Sequence, residues 1–133
     1  MARLLSLLLV AGLFPGGALA QSCRSVVYEP EVVTLQGTVV VSEGHHPNGM
    51  RLKRPILQLQ SPVTVEPSTQ ADPINARENC MHEIQLVANS QALHDRLLGL
   101  GAKQVTVTGT LFHEHTAWHV RPVLMAVQLM RPN

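Results

Sequence analysis

The chain has 133 residues, of which 45% are hydrophobic, 14% are charged and only four are aromatic, with a formal net charge of +1 when histidine is neutral. So even a balance offers a polyanion no field to follow, and so few rings cannot build the stacking platform that single-stranded nucleic acid needs. Nucleic-acid binding is excluded on both counts, and the length suits one domain.

Residues 1–20 carry Arg3, an apolar run from Leu4 to Phe14, the breaker Pro15-Gly16-Gly17, and Ala18-Leu19-Ala20 before Gln21. A positive start, a short apolar stretch and small residues at the end make a secretory signal peptide, with cleavage expected after Ala20 and delivery to the periplasm or the medium. The run is shorter than the roughly 18 to 20 apolar residues of a membrane helix. Nothing downstream reaches that length, so no transmembrane helix is expected. Lipid modification at Cys23 is the rival to simple export, but Ala20-Gln21-Ser22 lacks the leucine and small residues expected before such a cysteine.

Residues 21–133 then form a single domain, able to bury roughly two thirds of its unfolded surface. Its nine Lys and Arg, the ten of the whole chain less Arg3, balance nine Asp and Glu. Both cysteines, Cys23 and Cys80, lie in this exported part, and an even count in an oxidising compartment implies one disulfide. A redox or metal-binding thiol pair would call for Cys-x-x-Cys spacing, which is absent.

The first strand is expected at Val32–Val41, where Val33, Leu35, Gly37, Val39 and Val41 alternate with Thr34, Gln36, Thr38 and Val40. Residues 42–53 form a polar loop with Pro47 and Asn48-Gly49 as turn chemistry. A shorter strand follows at Ile56–Gln60, with Pro55 at its first position and Pro62-Val63-Thr64-Val65 as a possible extension. Glu66–Asn79 is rich in Pro, Asp, Ser and Asn and reads as an irregular excursion. A third strand, His82–Ala88, has Ile84 and Leu86 inward. Asn89 or Ser90 then caps a short helix in which Leu93 and Leu97 plug the core and Gly99 or Gly101 ends it.

Residues Gln104–Met130 form a hairpin: Val105, Val107, Gly109 and Leu111 share one face, and Val123, Met125, Val127 and Leu129 make the apolar face of the return strand. The heptad Val33–Val39 echoes Val105–Leu111, with a glycine on the apolar face of each. Mid-strand glycines mark sharp coiling or close backbone approach. Five strands with a helix between the third and fourth, in that order, predict an all-β, five-stranded barrel like the oligonucleotide/oligosaccharide-binding (OB) fold, over a β-sandwich.

With Tyr28-Glu29-Pro30, Leu35-Gln36-Gly37, Ile84-Gln85-Leu86-Val87 and Val105–Phe112 followed by Thr116 and Pro122-Val123-Leu124 in place, the chain resembles an uncharacterised bacterial family of small exported domains, a domain of unknown function. The likeness covers nearly all of residues 21–133, and the G-T-L-F, T, H, P-V-L series is its most specific part. The family's hairpin is richer in histidine, with Gly and His often where Ala117, Trp118 and Val120 stand here, and it tends to carry a cysteine near Thr64. These departures weaken any metal site carried over from the family and imply that Cys80 replaces the usual second half-cystine. The resemblance supports the fold and export and implies no activity.

The candidate site residues are mostly histidines. His113 and His115 are two apart, so a continuing strand would put both on one face, and a tight turn at Thr116-Ala117-Trp118 would set His119 opposite His115. Three such imidazoles could hold Zn, Cu or Ni, and their alternative role is hydrogen bonding across a barrel mouth. His45 and His46, in the loop joining the first two strands, and Trp118 in the last are expected to flank a ligand-binding face. Arg51, Lys53 and Arg54 are the one local concentration of positive charge, which could clamp an anion, although a small basic knot is more often a solvated face. No Ser-His-Asp order, phosphate-cradling glycine loop or His-Glu-x-x-His helix is present, so an enzyme is not expected. Together these features predict a monomeric or weakly associating exported module that binds a small polar ligand, a peptide or an envelope partner, with transition-metal binding as the alternative.

Overall fold

Val33, Leu35 and Val39 are buried while Val32, Thr34 and Gln36 are exposed, so period-2 alternation sets one face of a strand against the core and leaves the other wet. In the computed structural model the described residues are 22–133, together with Gly12 and Gly16. The expected leader and its cleavage point therefore lie outside the described residues, save those two glycines. Six strands and one helix follow in order: β1 Arg24–Val27, β2 Val32–His45, β3 Arg51–Glu66, β4 Glu78–Val87, α1 Gln91–Leu98, β5 Gln104–His113 and β6 Val123–Pro132. The protein is thus mostly β, with one short helix, and all six strands join a single sheet.

The pairings run from β3 through β2, β5, β6 and β4 and back to β3, with β1 added on β3. Contacts β1–β3 and β4–β6 are parallel and the other four antiparallel. β1 is a sixth strand that the sequence did not announce, because four residues are too few to display an alternation. It is held in register by Val26 against Val65 and by the Cys23–Cys80 disulfide, whose Cα atoms are 5.5 Å apart. Thr64, where the related pattern tends to hold a cysteine, lies against Cys80: its hydroxyl accepts the Cys80 N–H at 3.2 Å.

Two expected boundaries move. The polar stretch 42–53 is mostly strand: β2 continues to His45 and pairs with β3 from Arg51, so that only residues 46–50 turn. Only one face of these strand ends is covered, with Leu52 buried opposite the half-buried Gly44, while Val41, Glu43 and His45 face water. Val41, expected inward, is accordingly exposed. On β6 the register with β5 slips between Thr108 and Gly109, because Thr108 faces Leu129 and Gly109 faces Val127, leaving Gln128 as an extra residue. Such a bulge reverses the side-chain parity beyond it. Leu129, expected inward, is therefore exposed and Met130 takes its place in the core.

The two echoing heptads prove to be partners: Gly37 faces Val105 and Val33 faces Gly109. Each glycine admits a neighbouring backbone where a side chain would stand. A Cβ at Gly37 would run into the Gln58 carbonyl of β3, and one at Gly109 into the Ala126 carbonyl of β6. Helix α1 closes the core as expected. Ser90 Oγ accepts the Leu93 N–H at 3.1 Å, Leu97 is fully buried, Leu93 packs beside it, and the chain leaves through Gly99 and the left-handed Gly101.

Candidate functional site

The hairpin β5–β6 ends its pairing at His113–Val123, and Glu114 N–H bonds to the Pro122 carbonyl, so residues 115–121 form a broad loop rather than a tight turn. The assumption that His115 continues a strand therefore fails, and with it the face shared by His113 and His115. His113 instead turns toward the excursion between β3 and β4. Its Nε2 lies 2.9 Å from Glu78 Oε1, and its N–H donates to Asn75 Oδ1 at 2.9 Å. His115 and His119 do meet, with ring centroids 4.9 Å apart and both against Phe112. The His115 N–H occupies Nδ1 of His119 at 3.1 Å. The structure thus brings together two of the three histidines, and among the described residues no group of three His, Cys, Asp or Glu side chains is set to hold a metal ion.

The excursion that His113 faces has its own internal order. Asp72 accepts the N–H groups of Ile74 and Asn75 and the Asn75 amide, and these hydrogen bonds, the Asn75 backbone first, hold its carboxyl below the usual carboxylate range. Tyr28 is buried and donates to the Ala76 carbonyl at 2.7 Å. Burial, then the charges of Glu78 and Asp72, push its hydroxyl well above the usual phenol range, so the donor proton is always present. These contacts tie His113 to this corner.

Of the other loop residues, His46 and Trp118 meet. The tip of the β2–β3 hairpin reaches the β5–β6 loop, where the His46 ring lies 4.2 Å from the Trp118 ring at a 30° tilt. His45 does not take part: it is exposed on β2 opposite Arg51. Arg54 does take part, although the basic run reads as a solvated face in the sequence. Its guanidinium carbon lies 5.6 Å from the Trp118 ring centroid, within cation–π range, and its Nε donates to the Trp118 carbonyl at 3.3 Å. From β4, the buried Gln85 holds the same loop twice, accepting the Val120 N–H at 2.7 Å and donating to the Trp118 carbonyl at 3.4 Å. Arg121 completes the attachment through Glu83 at 2.7 Å and Ser42 at 3.5 Å.

Two cavities open on either side of this junction. One, of about 470 Å³, is lined by Arg54, Gln85, Trp118 and His119 with the β4–α1 turn and His94; the other, of about 410 Å³, shares Arg54, His94 and Trp118 and extends to Arg51 and Met50. His119 is partly desolvated there. That burial, with the charge of His115 and a smaller one from Arg54, pulls its pKa below the ordinary histidine value, against the opposing pull of Glu114. A larger cavity of about 800 Å³ lies apart, between Arg24 and Thr34–Gln36 and the Leu59–Val63 bulge. Its one charged group, Arg24, donates to the Thr34 carbonyl at 3.3 Å, and Gln36, Gln60 and Ser61 line it as well. Gln85 and His94 are the site residues that sequence reasoning missed, whereas Arg54 stood out in the sequence as part of a basic run. The signal for Gln85 was an amide in the apolar run Ile84–Val87; His94 carried none, since it comes from a separate element.

Residues 83–131 match the family described as a domain of unknown function (DUF4431). The match begins within β4 and ends within β6, so it takes in Gln85, His94, Trp118 and His119 and leaves out His46 and Arg54. Neither the curated proteins nor the solved structures contain a match to the chain.

Proposed function

We propose that this chain is an exported binding module, built as an OB-like barrel, whose ligand site is the junction of the two hairpin tips beside Trp118. The barrel assignment draws on the cyclic order of pairing: β2 to β6 supply the five strands, α1 stands between the third and fourth of them, and β1 is an addition. In an OB fold the loops after the first and fourth strands flank the binding face. Here these are the β2–β3 and β5–β6 tips, and their contact through His46 and Trp118 is the observation that carries the proposal. Export is supported by the Cys23–Cys80 bond, since disulfides persist in oxidising compartments. Among the described residues no helix is long and apolar enough to cross a membrane. A cavity of about 470 Å³ suits a small molecule rather than a flat macromolecular surface.

The test is amide-resolved NMR of residues 21–133 against a library of small polar fragments. Shifts are expected to cluster on residues 46, 54, 85–94 and 117–120. Hits that gather instead at residues 22–24 and 59–63, or none at all, would refute the site. Intact-mass measurement of the exported protein should place its first residue at Gln21.

A further inference from the structure

We propose that the junction beside Trp118 is a receptor for an oxyanion, taking small ligands through a carboxylate or phosphate group. This rests on the binding-module proposal above and adds the chemistry of the ligand. The larger of the two junction cavities is lined by one arginine, two histidines and the amides of Gln85, Asn89 and Gln91, with no aspartate or glutamate. The smaller one adds Arg51, Lys53 and Glu43, and that glutamate is engaged by Arg51 at 3.4 Å. A cation entering either space would find no free carboxylate to replace its hydration shell, whereas an anion would find donors on several sides.

Arg54 is central because it is held in place. Its Nε and Nη1 donate to the carbonyls of Trp118 and Lys53, and its plane is set against the indole, so the guanidinium is fixed by backbone acceptors that leave its charge unneutralised. No carboxylate pairs with it among the described residues. Its remaining N–H groups form a preorganised donor for a carboxylate or phosphate, the geometry in which arginine binds such groups most strongly. His94 lines both cavities from α1, and its ring makes no hydrogen bond to the described protein. The first turn of α1 carries no acidic residue that would oppose an anion there. The unpaired guanidinium and the larger cavity's lining without carboxylates are two separate observations, and they favour the same sign of ligand.

Trp118 is the sole tryptophan of the chain and touches Arg54, so its emission reports on the site directly. Residues 21–133 are titrated with glucose, glucuronate and glucose 6-phosphate, three ligands that share one sugar ring and differ in the group and charge at C6. Saturable emission changes are expected with the two anions at millimolar concentration and not with glucose, and the relative affinity of glucuronate and glucose 6-phosphate tells carboxylate from phosphate. Arg54→Gln should weaken the anions roughly ten- to a hundredfold, the loss of a charge-assisted bond, and Arg54→Lys should restore part of it. Because Arg54 also braces the loop, His94→Gln serves as a second variant; it should weaken the anions several-fold with unliganded emission unchanged. Glucose binding as tightly as the anions would overturn the oxyanion proposal and leave the binding module standing. A silent response to all three ligands overturns the oxyanion proposal, and the fragment NMR then decides separately whether the module reading survives.

Discussion

Gln85→Met tests how the site is held together, because it keeps the shape of a buried side chain and deletes its two bonds. Gln85 is 2% exposed, and Oε1 is the acceptor for the Val120 N–H at 2.7 Å. Without it that amide is stranded at the base of the loop. The second bond, Nε2 to the Trp118 carbonyl, is long at 3.4 Å, and the carbonyl keeps Arg54 Nε at 3.3 Å, so its loss contributes less. One good neutral hydrogen bond and one stranded amide amount to about 2 kcal/mol. For a domain of this size that is a fall in the thermal midpoint of roughly 8 °C. Circular dichroism melts give the midpoint, Trp118 emission reports the loosened loop, and amide exchange at Val120 should change from protected to fast. A variant with unchanged midpoint, emission and Val120 protection would show that Gln85 does not hold the loop.

Gly109→Ala and Gly37→Ala should each lose about 2 to 3 kcal/mol in urea unfolding, the range for an overpacked site. At Gly109 the new Cβ would also stand 2.9 Å from Met125 Cγ, and alanine variants as stable as the wild type would remove the close-approach account. Replacing Cys23 and Cys80 by serine should cost up to about 4 kcal/mol by chain entropy over a separation of 57 residues; an unaltered denaturation midpoint would count against it. His119 binds its proton less readily folded than unfolded, so the unfolded chain holds more protons from about pH 6.5 down to the lowered folded pKa. Stability should therefore fall as pH drops through that window, and His119→Gln should flatten the slope; an equal slope in the variant would refute this. His113→Ala should lose about 1 kcal/mol through its Glu78 contact while His115→Ala stays near wild type. Calorimetry with Zn²⁺, Cu²⁺ and Ni²⁺ joins that pair, and metal uptake abolished by His113→Ala would revive the three-histidine centre.

The strands with one wet face were legible from the chain alone, because a pleat turns burial into a period of two. Val33, Leu35, Val39, Val105, Val107 and Leu111 all lie where that period puts them. The helix was equally legible, since Ser90, Leu93, Leu97 and Gly99 supply its cap, its inward stripe and its end within ten residues. The Cys23–Cys80 bond followed from the count of cysteines, for two thiols allow one pairing. Each of these is local, or is a choice with a single option.

Only the tertiary structure decided the rest. Whether Leu129 or Met130 faces the core depends on one bulge residue, and a register slip is a property of two strands that neither displays by itself. Whether three histidines meet depends on where pairing stops at His113, and there Glu78 holds the ring, and Asn75 the backbone N–H, of a residue that spacing alone assigned to its neighbours. The candidate site is the extreme case. His46, Arg54, Gln85, His94 and Trp118 come from five separate parts of the chain, and they gather around Trp118 only because the strand pairing brings two hairpin tips and a helix to one place.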